Sequence, residues 1–296
     1  IQIADVFGTA GITFIIAMAA GVICDFILSR KAAKIRRINY GGAVITVLVV
    51  AGVVYYGRFR INQTLQFTEP GPKIGVVQCN VPVKAGVDAE PFEKTFLDQL
   101  ALSREAFYDA RPLLIVWPET MVETLLDKSY LSLVGENYAS KTIHNALVRH
   151  AREGVYVLVG AFGGQAYLDA NEIKFKSRYN TAFLYEPNQP WSTQQYHKIH
   201  LVPFGEYIPL KKQLPFLYRF LLAMTPYDYD YTLQKGTDFT NFQISSDCGS
   251  YNFAVSICYE DTVPDICRKL VAEDGIKNAQ WLVNISNDGW FVKKNG

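Results

Sequence analysis

The chain has 296 residues, of which 49% are hydrophobic, and its formal net charge is +1. This length and apolar content exclude a disordered tail and allow one large domain with additional hydrophobic segments. The near balance of charges gives no indication of a nucleic-acid partner, because binding to phosphates requires an excess of Lys and Arg.

Two long apolar runs open the chain. The first covers residues 6–28 and contains a single acidic residue, Asp25, near its end. The second covers residues 38–59 and has tyrosines at both edges, where membrane interfaces favour them. Each run is long enough to cross a bilayer, so we predict two transmembrane helices. A pair of buried core helices is the alternative.

The loop between the two runs, residues 29–39, is strongly basic. It contains Arg30, Lys31, Lys34, Arg36 and Arg37. Because short loops rich in Lys and Arg are retained in the cytoplasm, we predict that the chain beyond residue 60 lies on the outer side. The sequence therefore divides into a membrane region, residues 1–60, and an extramembrane domain, residues 61–296.

Short β-rich runs alternate with amphipathic stretches in the second region, which indicates an α/β domain. The predicted strands cover residues 73–78, 113–117, 156–162, 181–186, 253–258 and 281–286. The predicted helices cover residues 91–109, 141–153 and 264–273.

Three polar residues stand where predicted strands end. Glu119 follows LLIVWP, Lys198 follows QQYH, and Cys258 closes FAVSIC. Loops beyond strand ends are the usual location of catalytic groups in α/β sheets. A cysteine within such an apolar run is, taken alone, more often a buried hydrophobic residue.

These residue types together match the needs of nucleophilic catalysis. A thiol is mostly protonated at neutral pH, so it needs a base and a nearby positive charge. Cys258 could attack a carbonyl while Glu119 takes its proton and Lys198 stabilises the oxyanion. The backbone N–H of Tyr259, directly after the nucleophile, is a candidate second oxyanion donor.

Four segments carry a family resemblance: IVWPET (115–120), YHKIHLVPFGEYIPL (196–210), SICYED (256–261) and NISNDGWF (284–291). Together they resemble the nitrilase superfamily, and the second resembles its apolipoprotein N-acyltransferase branch. The resemblance implies a nitrilase-like αββα sandwich preceded by transmembrane helices. It also implies Glu119 as base, Lys198 as stabiliser and Cys258 as nucleophile, in a catalytic domain that is incomplete at its C-terminal end.

The same resemblance suggests supporting residues. Glu206 would position Lys198 or the incoming amine, unless it is only a surface ion-pair partner. Tyr259 and Glu260 would shape the pocket, and His200 would belong to the hydrogen-bond framework around Lys198. No cofactor is implied. His197 and His200 form an HxxH pair, but zinc is not predicted because an HExxH base and a third ligand are missing.

The five cysteines show no CxxC pair, so neither a zinc site nor a disulfide framework is predicted. One bridge between Cys248 and Cys267 is compatible with the spacing in an oxidising compartment. The chain begins at Ile1 without a Met and ends at Gly296 directly after a motif. We therefore expect it to be part of a longer protein.

The function implied is acyl transfer at the bacterial inner membrane, on its periplasmic side. Cys258 would take an acyl chain from a phospholipid as a thioester, and the amine of a diacylglyceryl-cysteine lipoprotein would accept it. The apolar segment 210–231 could dip into lipid as an arm over the site, or pack as an ordinary helix. The competing interpretations are a membrane-tethered amidase or nitrilase that uses water, and a non-enzymatic lipoprotein-binding scaffold.

Overall fold

The structure is a computed structural model that describes residues 1–31, 40–78, 92–170, 172–209, 216, 218, 222 and 232–287. These residues belong to two compact units, Ile1–Gly71 and Pro72–Gly296. Most of the basic loop, nearly all of the segment 210–231 and the end of the last motif lie outside the described residues, so the predictions about them stay predictions.

The first unit contains two helices, α1 (Ala4–Lys31) and α2 (Tyr40–Phe67). Both contain candidate membrane spans, Ala4–Ser29 and Tyr40–Thr64, and the most apolar window is 0% buried in the first and 11% in the second. Such exposure does not fit the alternative of buried core helices, because a core helix hides its apolar side chains. Helix α2 continues through the predicted boundary at residue 60.

One ion pair joins the start of α1 to the end of α2. The Arg60 Nε donates to Asp5 Oδ2 over 2.8 Å, and the Tyr56 hydroxyl donates to the same carboxylate. Arg60 is one of the two cations on the side opposite the basic loop.

Among the described residues, the second unit has eleven strands and four α-helices whose bounds are defined, and Phe216, Tyr218 and Leu222 are also helical. The strands are β1 (Ile74–Val76), β2 (Leu114–Val116), β3 (Val122–Leu125), β4 (Tyr156–Asp169), β5 (Glu172–Tyr185), β6 (Gln194–His197), β7 (Asn241–Ser246), β8 (Gly249–Ile257), β9 (Ala272–Glu273), β10 (Ile276–Lys277) and β11 (Trp281–Ile285). The helices are α3 (Phe92–Ala110), α4 (Lys128–Leu131), α5 (Ala139–Ala151) and α6 (Pro264–Val271).

Two main sheets are present. The first has the order β1-β2-β4-β5-β6, with β3 paired to Ala161 and Phe162 in the middle of β4, and the second has the order β11-β8-β7. Strands β1, β2 and β4 are parallel, whereas β5 runs antiparallel to both β4 and β6. Strand β6 therefore points in the same direction as β2. A small β9-β10 hairpin is separate.

Side-chain alternation divides the core into two layers. On β2, Ile115 belongs to a cluster with residues of α3 and α5, whereas Leu114 and Val116 belong to a cluster shared with the second sheet. On β5, Phe183 and Leu184 are divided in the same way. This period of two is the pleat of a strand whose faces are both covered. Helix α6 packs against β8 and β11 of the second sheet.

The predicted α/β class and αββα sandwich are confirmed. All six predicted strands and all three predicted helices exist, with helix ends within two residues of the expected positions. Strands β4 and β5 extend much further than predicted and form a long hairpin. Cys248 and Cys267 are both free thiols, so no bridge joins them in this structure.

Asp127, at the start of α4, leads to a prediction on stability. Burial raises the pKa of this carboxyl to about 6, although hydrogen bonds from the Gly164 N–H and from Gln195 act in the opposite direction. Because the folded pKa exceeds the unfolded value, the contribution to stability is complete below about pH 4 and is lost as the pH rises through 6.

We expect Asp127→Asn to stabilise the second unit above pH 6, by at most about 3 kcal/mol, and to leave it nearly unchanged at pH 4. Thermal unfolding of the detergent-purified protein at pH 4 and pH 8 measures this difference. Asp169→Asn, in the exposed hairpin, is the control. An equal effect of Asp127→Asn at both pH values would contradict the prediction.

Candidate active site

The topology explains why residues far apart in the chain meet. Strands β2 and β6 point the same way in one sheet, so Glu119, three residues beyond β2, and Lys198, directly after β6, emerge at the same edge. Cys258 follows β8 of the facing sheet. Carboxyl ends of strands at one sheet edge form the usual position of an α/β active site.

Glu119 and Lys198 are in direct contact. The Lys198 Nζ lies 3.2 Å from Glu119 Oε1 and 3.1 Å from Glu206 Oε1, and only 1% of the lysine surface is exposed. Glu119 is 6% exposed. The second oxygen of each carboxylate accepts a backbone N–H, from Asn287 for Glu119 and from Val202 for Glu206.

The two carboxylates determine the charge of Lys198. Burial acts to lower the pKa of this ammonium, but the negative charges of Glu119 and Glu206 outweigh it, so the pKa is raised. Lys198 therefore stays protonated at every pH at which the protein would work. It can stabilise a negative oxygen but cannot serve as a base.

Cys258 sits at a strained position at the end of β8. Its φ of 55° lies in the left-handed region, which is unfavourable for a residue with a Cβ. The strand stops there, and residues Cys258–Thr262 form a 3₁₀ turn. Five other described non-glycine residues also have positive φ, among them Thr120 directly after Glu119. Backbone strain of this kind occurs preferentially at functional sites.

The thiol of Cys258 lies within hydrogen-bonding reach of the Glu119 carboxylate and of the Ser286 side chain. Burial raises the thiol pKa, and the charge of Glu119 raises it further, whereas Ser286 and Lys198 lower it. The net direction is upward, so the resting group is a thiol at neutral pH. Attack by such a thiol on a carbonyl would require a base beside it, and the Glu119 carboxylate is the acidic group among the thiol's neighbours.

Glu260, which is fully buried, joins the two loops that carry Lys198 and Cys258. One of its oxygens accepts the N–H groups of Ile199 (2.7 Å) and His200 (2.9 Å), and the other accepts that of Ile257 (2.8 Å). The Tyr196 hydroxyl donates to both oxygens. Burial raises the pKa of the Glu260 carboxyl, whereas these hydrogen bonds act to lower it. Because all of these groups donate to Glu260, it fixes the loop that carries Lys198 relative to the loop that carries Cys258.

His200 and Tyr259 lie beside these loops. Tyr259 is 54% exposed, and its ring stacks on that of His200 with 6.3 Å between centroids. The described link of His200 to the Lys198 region is its backbone N–H, which donates to Glu260. His197 is oriented differently, with its Nδ1 2.8 Å from the Thr181 hydroxyl. The two histidines of the HxxH pair thus have different neighbours.

Asn180, in β5, was not predicted from the sequence. Its side-chain amide donates to Glu119 Oε1 at 2.7 Å and to Glu206 Oε1 at 2.8 Å. The only signal in the sequence is a polar residue directly before the apolar run TAFLYE. That signal is weak, because strands commonly begin with polar residues.

Gly160 on β4 allows a close approach that positions Glu119. A Cβ at this residue would lie 2.4 Å from the Pro118 carbonyl oxygen and 2.7 Å from both Glu119 Cα and Thr120 N. These are backbone atoms, so they must move if a side chain is added. Glycine here is therefore required by the path of the loop that carries Glu119.

We expect Gly160→Ala to destabilise the protein by about 1–3 kcal/mol and to reduce the reactivity of Cys258 by up to about 10²-fold, because Glu119 is displaced. Gly164→Ala is the matched control, since its Cβ would meet the Ser177 carbonyl on the same hairpin instead. The rate of Cys258 alkylation by iodoacetamide, read by peptide mass spectrometry, separates the two variants. Equal rates in both would contradict the prediction.

A family model for carbon–nitrogen hydrolases matches residues 73–296, which is most of the chain. The chain therefore belongs to the carbon–nitrogen hydrolase family. This agrees with the nitrilase-like fold and with the resemblance carried by the four sequence segments.

Curated relatives carry the name apolipoprotein N-acyltransferase. The chain is 28% identical over 296 residues to the apolipoprotein N-acyltransferase of Geobacter metallireducens, covering 98% of this chain and 50% of that protein. It is 33% identical over 227 residues to apolipoprotein N-acyltransferase 1 of Treponema pallidum, covering 74% and 38%. The chain thus spans about half the length, or less, of these curated relatives.

Solved structures give a more distant likeness. The chain is similar to a carbon–nitrogen hydrolase from Helicobacter pylori G27, with 16% identity and a TM-score of 0.42, over 73% of this chain and 59% of that one. An amidase from Nesterenkonia sp. is also 16% identical, with a TM-score of 0.42, over 74% of this chain and 66% of that one.

Proposed function

We propose that this chain is the catalytic part of a membrane-bound acyltransferase that moves a fatty acyl chain from a phospholipid to the N-terminal amine of a diacylglyceryl-cysteine lipoprotein. The observation that carries the proposal is the buried Glu119–Lys198 ion pair, whose carboxylate and ammonium both act on the Cys258 thiol, in a chain with two candidate membrane spans. The names of the relatives support the lipid donor and lipoprotein acceptor.

The first half-reaction forms a thioester. Glu119 takes the proton of the Cys258 thiol as the sulfur attacks the ester carbonyl of the phospholipid, and the carbonyl oxygen becomes an oxyanion beside the Lys198 ammonium. The intermediate then expels the glycerol oxygen, which receives the proton from Glu119. The products are an acyl-Cys258 thioester and a lysophospholipid.

The second half-reaction transfers the acyl group. The acceptor amine attacks the thioester carbonyl, Glu119 takes a proton from the amine, and Lys198 again stabilises the oxyanion. The carbon–sulfur bond breaks, and the Cys258 thiolate recovers its proton from Glu119. Water must be kept out during the lifetime of the thioester, because hydrolysis would waste the acyl chain.

Two of the other predicted residues act on these groups rather than on the substrate. Glu206 positions Lys198, and Glu260 holds the two catalytic loops together. The exposed ring of Tyr259 stacks on the partly buried ring of His200 beside the site, where the pair is suited to contact the substrate. The Tyr259 N–H is the proposed second oxyanion donor. No cofactor or metal takes part in these steps.

We assign the membrane arrangement from charge and hydropathy. In this proposal residues 1–60 anchor the protein in the bacterial inner membrane, the loop 29–39 faces the cytoplasm, and residues 61–296 carry the chemistry on the periplasmic side. The apolar segment 210–231 remains a candidate lipid-contacting arm.

Mass spectrometry of the purified protein after exposure to phospholipid vesicles tests the function. We expect a mass increase equal to one fatty acyl chain on Cys258, and its loss on addition of a lipoprotein with a free diacylglyceryl-cysteine amine. Cys258→Ser is the control. Absence of an acyl adduct on the wild-type protein would reject the transferase.

A membrane-tethered amidase is the second candidate, and membership of the carbon–nitrogen hydrolase family favours it. It would use the same thiol, carboxylate and ammonium with water as the acceptor. Turnover of small amides without acylation by phospholipid would identify the hydrolase. Full cellular activity of Cys258→Ala would instead indicate a binding scaffold.

A further inference from the structure

Four side chains form a closed ring of hydrogen bonds in the site. Lys198 Nζ and Asn180 Nδ2 each donate to Oε1 of Glu119 and to Oε1 of Glu206. The two bonds from Asn180, 2.7 and 2.8 Å, are shorter than the two from Lys198, 3.2 and 3.1 Å. Asn180 is 3% exposed, so water does not compete freely for its amide.

The charges in this ring do not balance. Two carboxylates share one ammonium, so a fully ionised ring carries one net negative charge in a buried position. Carboxylates placed this close normally favour sharing a proton, which would leave one of them neutral. A hydrogen bond donated to a carboxylate favours its ionised form, and Asn180 donates one to each without adding charge.

The orientation of the Asn180 amide follows from the same contacts. Turning the amide over would place its oxygen against two carboxylate oxygens, all of them acceptors. The NH₂ group is therefore held towards Glu119 and Glu206 for as long as both are ionised. The amide and the ionised pair stabilise each other.

We propose that Asn180 is a positioning residue that keeps Glu119 ionised beside Glu206, so that Glu119 remains available as the base for Cys258. This inference rests on the proposed function in one respect, the role of Glu119 as base. Asn180 itself touches the carboxylates and not the reacting sulfur. Its loss should therefore change the pH at which the site works more than the maximum rate it can reach.

Several other groups face Glu119 and contribute to its state. They are the Lys198 ammonium and the Glu206 carboxylate from the loop after β6, the Cys258 thiol from the end of β8, and the Asn287 N–H after β11. A substitution at Asn180 leaves all four groups in the sequence, and of these only Glu206 also loses a hydrogen bond from the Asn180 amide. A shift of the pH profile in such a variant then reports the missing amide.

The experiment measures Cys258 alkylation by iodoacetamide in the detergent-purified protein between pH 5 and pH 10, with peptide mass spectrometry to separate Cys258 from the other cysteines. We expect Asn180→Ala to shift the acid limb of the pH–rate profile to higher pH by about one pH unit or more, because a charge-assisted hydrogen bond is lost. Asn180→Asp should move it further by adding a third carboxylate. At pH values above the acid limb, the alkylation rates of both variants should approach the wild-type rate.

Asn284→Asp is the matched control. The Asn284 amide also donates to a carboxylate, that of Asp261 at 2.8 Å, but it does not contact the ring. Its pH profile should coincide with that of the wild type. Thermal unfolding identifies any variant that fails to fold, and Asn180→Ser, which keeps a single donor, should then show an intermediate shift.

A folded Asn180 variant whose rate falls by the same factor at every pH, or whose acid limb does not move, would overturn the inference. The assay needs no phospholipid, so its outcome is separate from that of the acyl-adduct test. A wild-type protein that alkylates normally but forms no acyl adduct would reject the proposed transferase and leave the role of Asn180 open to this measurement.

Discussion

Replacement of Lys198 by Met is expected to cause the largest combined loss of activity and stability. The ammonium is buried against two carboxylates, and Met fills a similar volume without the charge. Loss of an oxyanion stabiliser typically costs about 10²–10³-fold in rate. Removing one partner of a buried ion pair also destabilises a fold by about 3–5 kcal/mol, since the remaining charges are uncompensated.

The measurements are the rate of acyl-adduct formation and the unfolding midpoint. Lys235→Met is the control, because Lys235 is exposed and its ammonium lies over the Tyr207 ring rather than in the ring of carboxylates. Adding Glu206→Gln to Lys198→Met should recover part of the stability and none of the activity. A Lys198→Met protein with normal adduct formation would remove Lys198 from the mechanism.

The second large effect is expected at Glu119, and Glu206 supplies the matched comparison. Both carboxylates bind Lys198 and Asn180 through one oxygen, but the Cys258 thiol pairs with Glu119. Glu119→Gln should therefore lower the rate of Cys258 acylation by about 10²–10⁴-fold through loss of the base. Glu206→Gln removes the same charge from the ring and should have a much smaller effect on the thiol.

Alkylation of Cys258 by iodoacetamide at pH 7 compares the two variants directly, since it needs the base and no lipid. In Glu119→Gln the rate should recover as the pH rises past the thiol pKa, because hydroxide then replaces the missing base. Equal losses of alkylation rate in the two variants would mean that the buried charge, and not the position of Glu119, controls the reactivity of the Cys258 thiol.

The parts of the fold predicted correctly are those with strong apolar periodicity. The runs LLIVW and FAVSIC are covered on both faces, so hydrophobicity alone marks them as strands. The outer part of the β4-β5 hairpin was missed because GGQAYLD and EIKFKSRY mix polar and apolar residues without a buried face. Cross-strand pairing stabilises that region, and pairing partners are not visible in one strand's sequence.

Prediction of the site from the sequence is limited in the same way. Glu119, Lys198 and Cys258 could be predicted because each follows a strand and stands within a family segment. Asn180 and Gly160 could not, since their importance lies in atoms from distant parts of the chain: two carboxylates for Asn180, and the Glu119 backbone for Gly160. Sequence patterns show local periodicity, whereas these contacts depend on how the sheet brings its strand ends together.

The left-handed backbone at Cys258 means that the protein retains its thiol at a cost to its own folding. Glycine adopts this conformation without steric penalty, whereas every residue with a Cβ is disfavoured there. A chain selected only for durability would drift towards glycine at this position. Selecting variants of this protein for heat resistance alone can therefore favour loss of the Cys258 thiol, so such a selection should also require the thiol's chemistry.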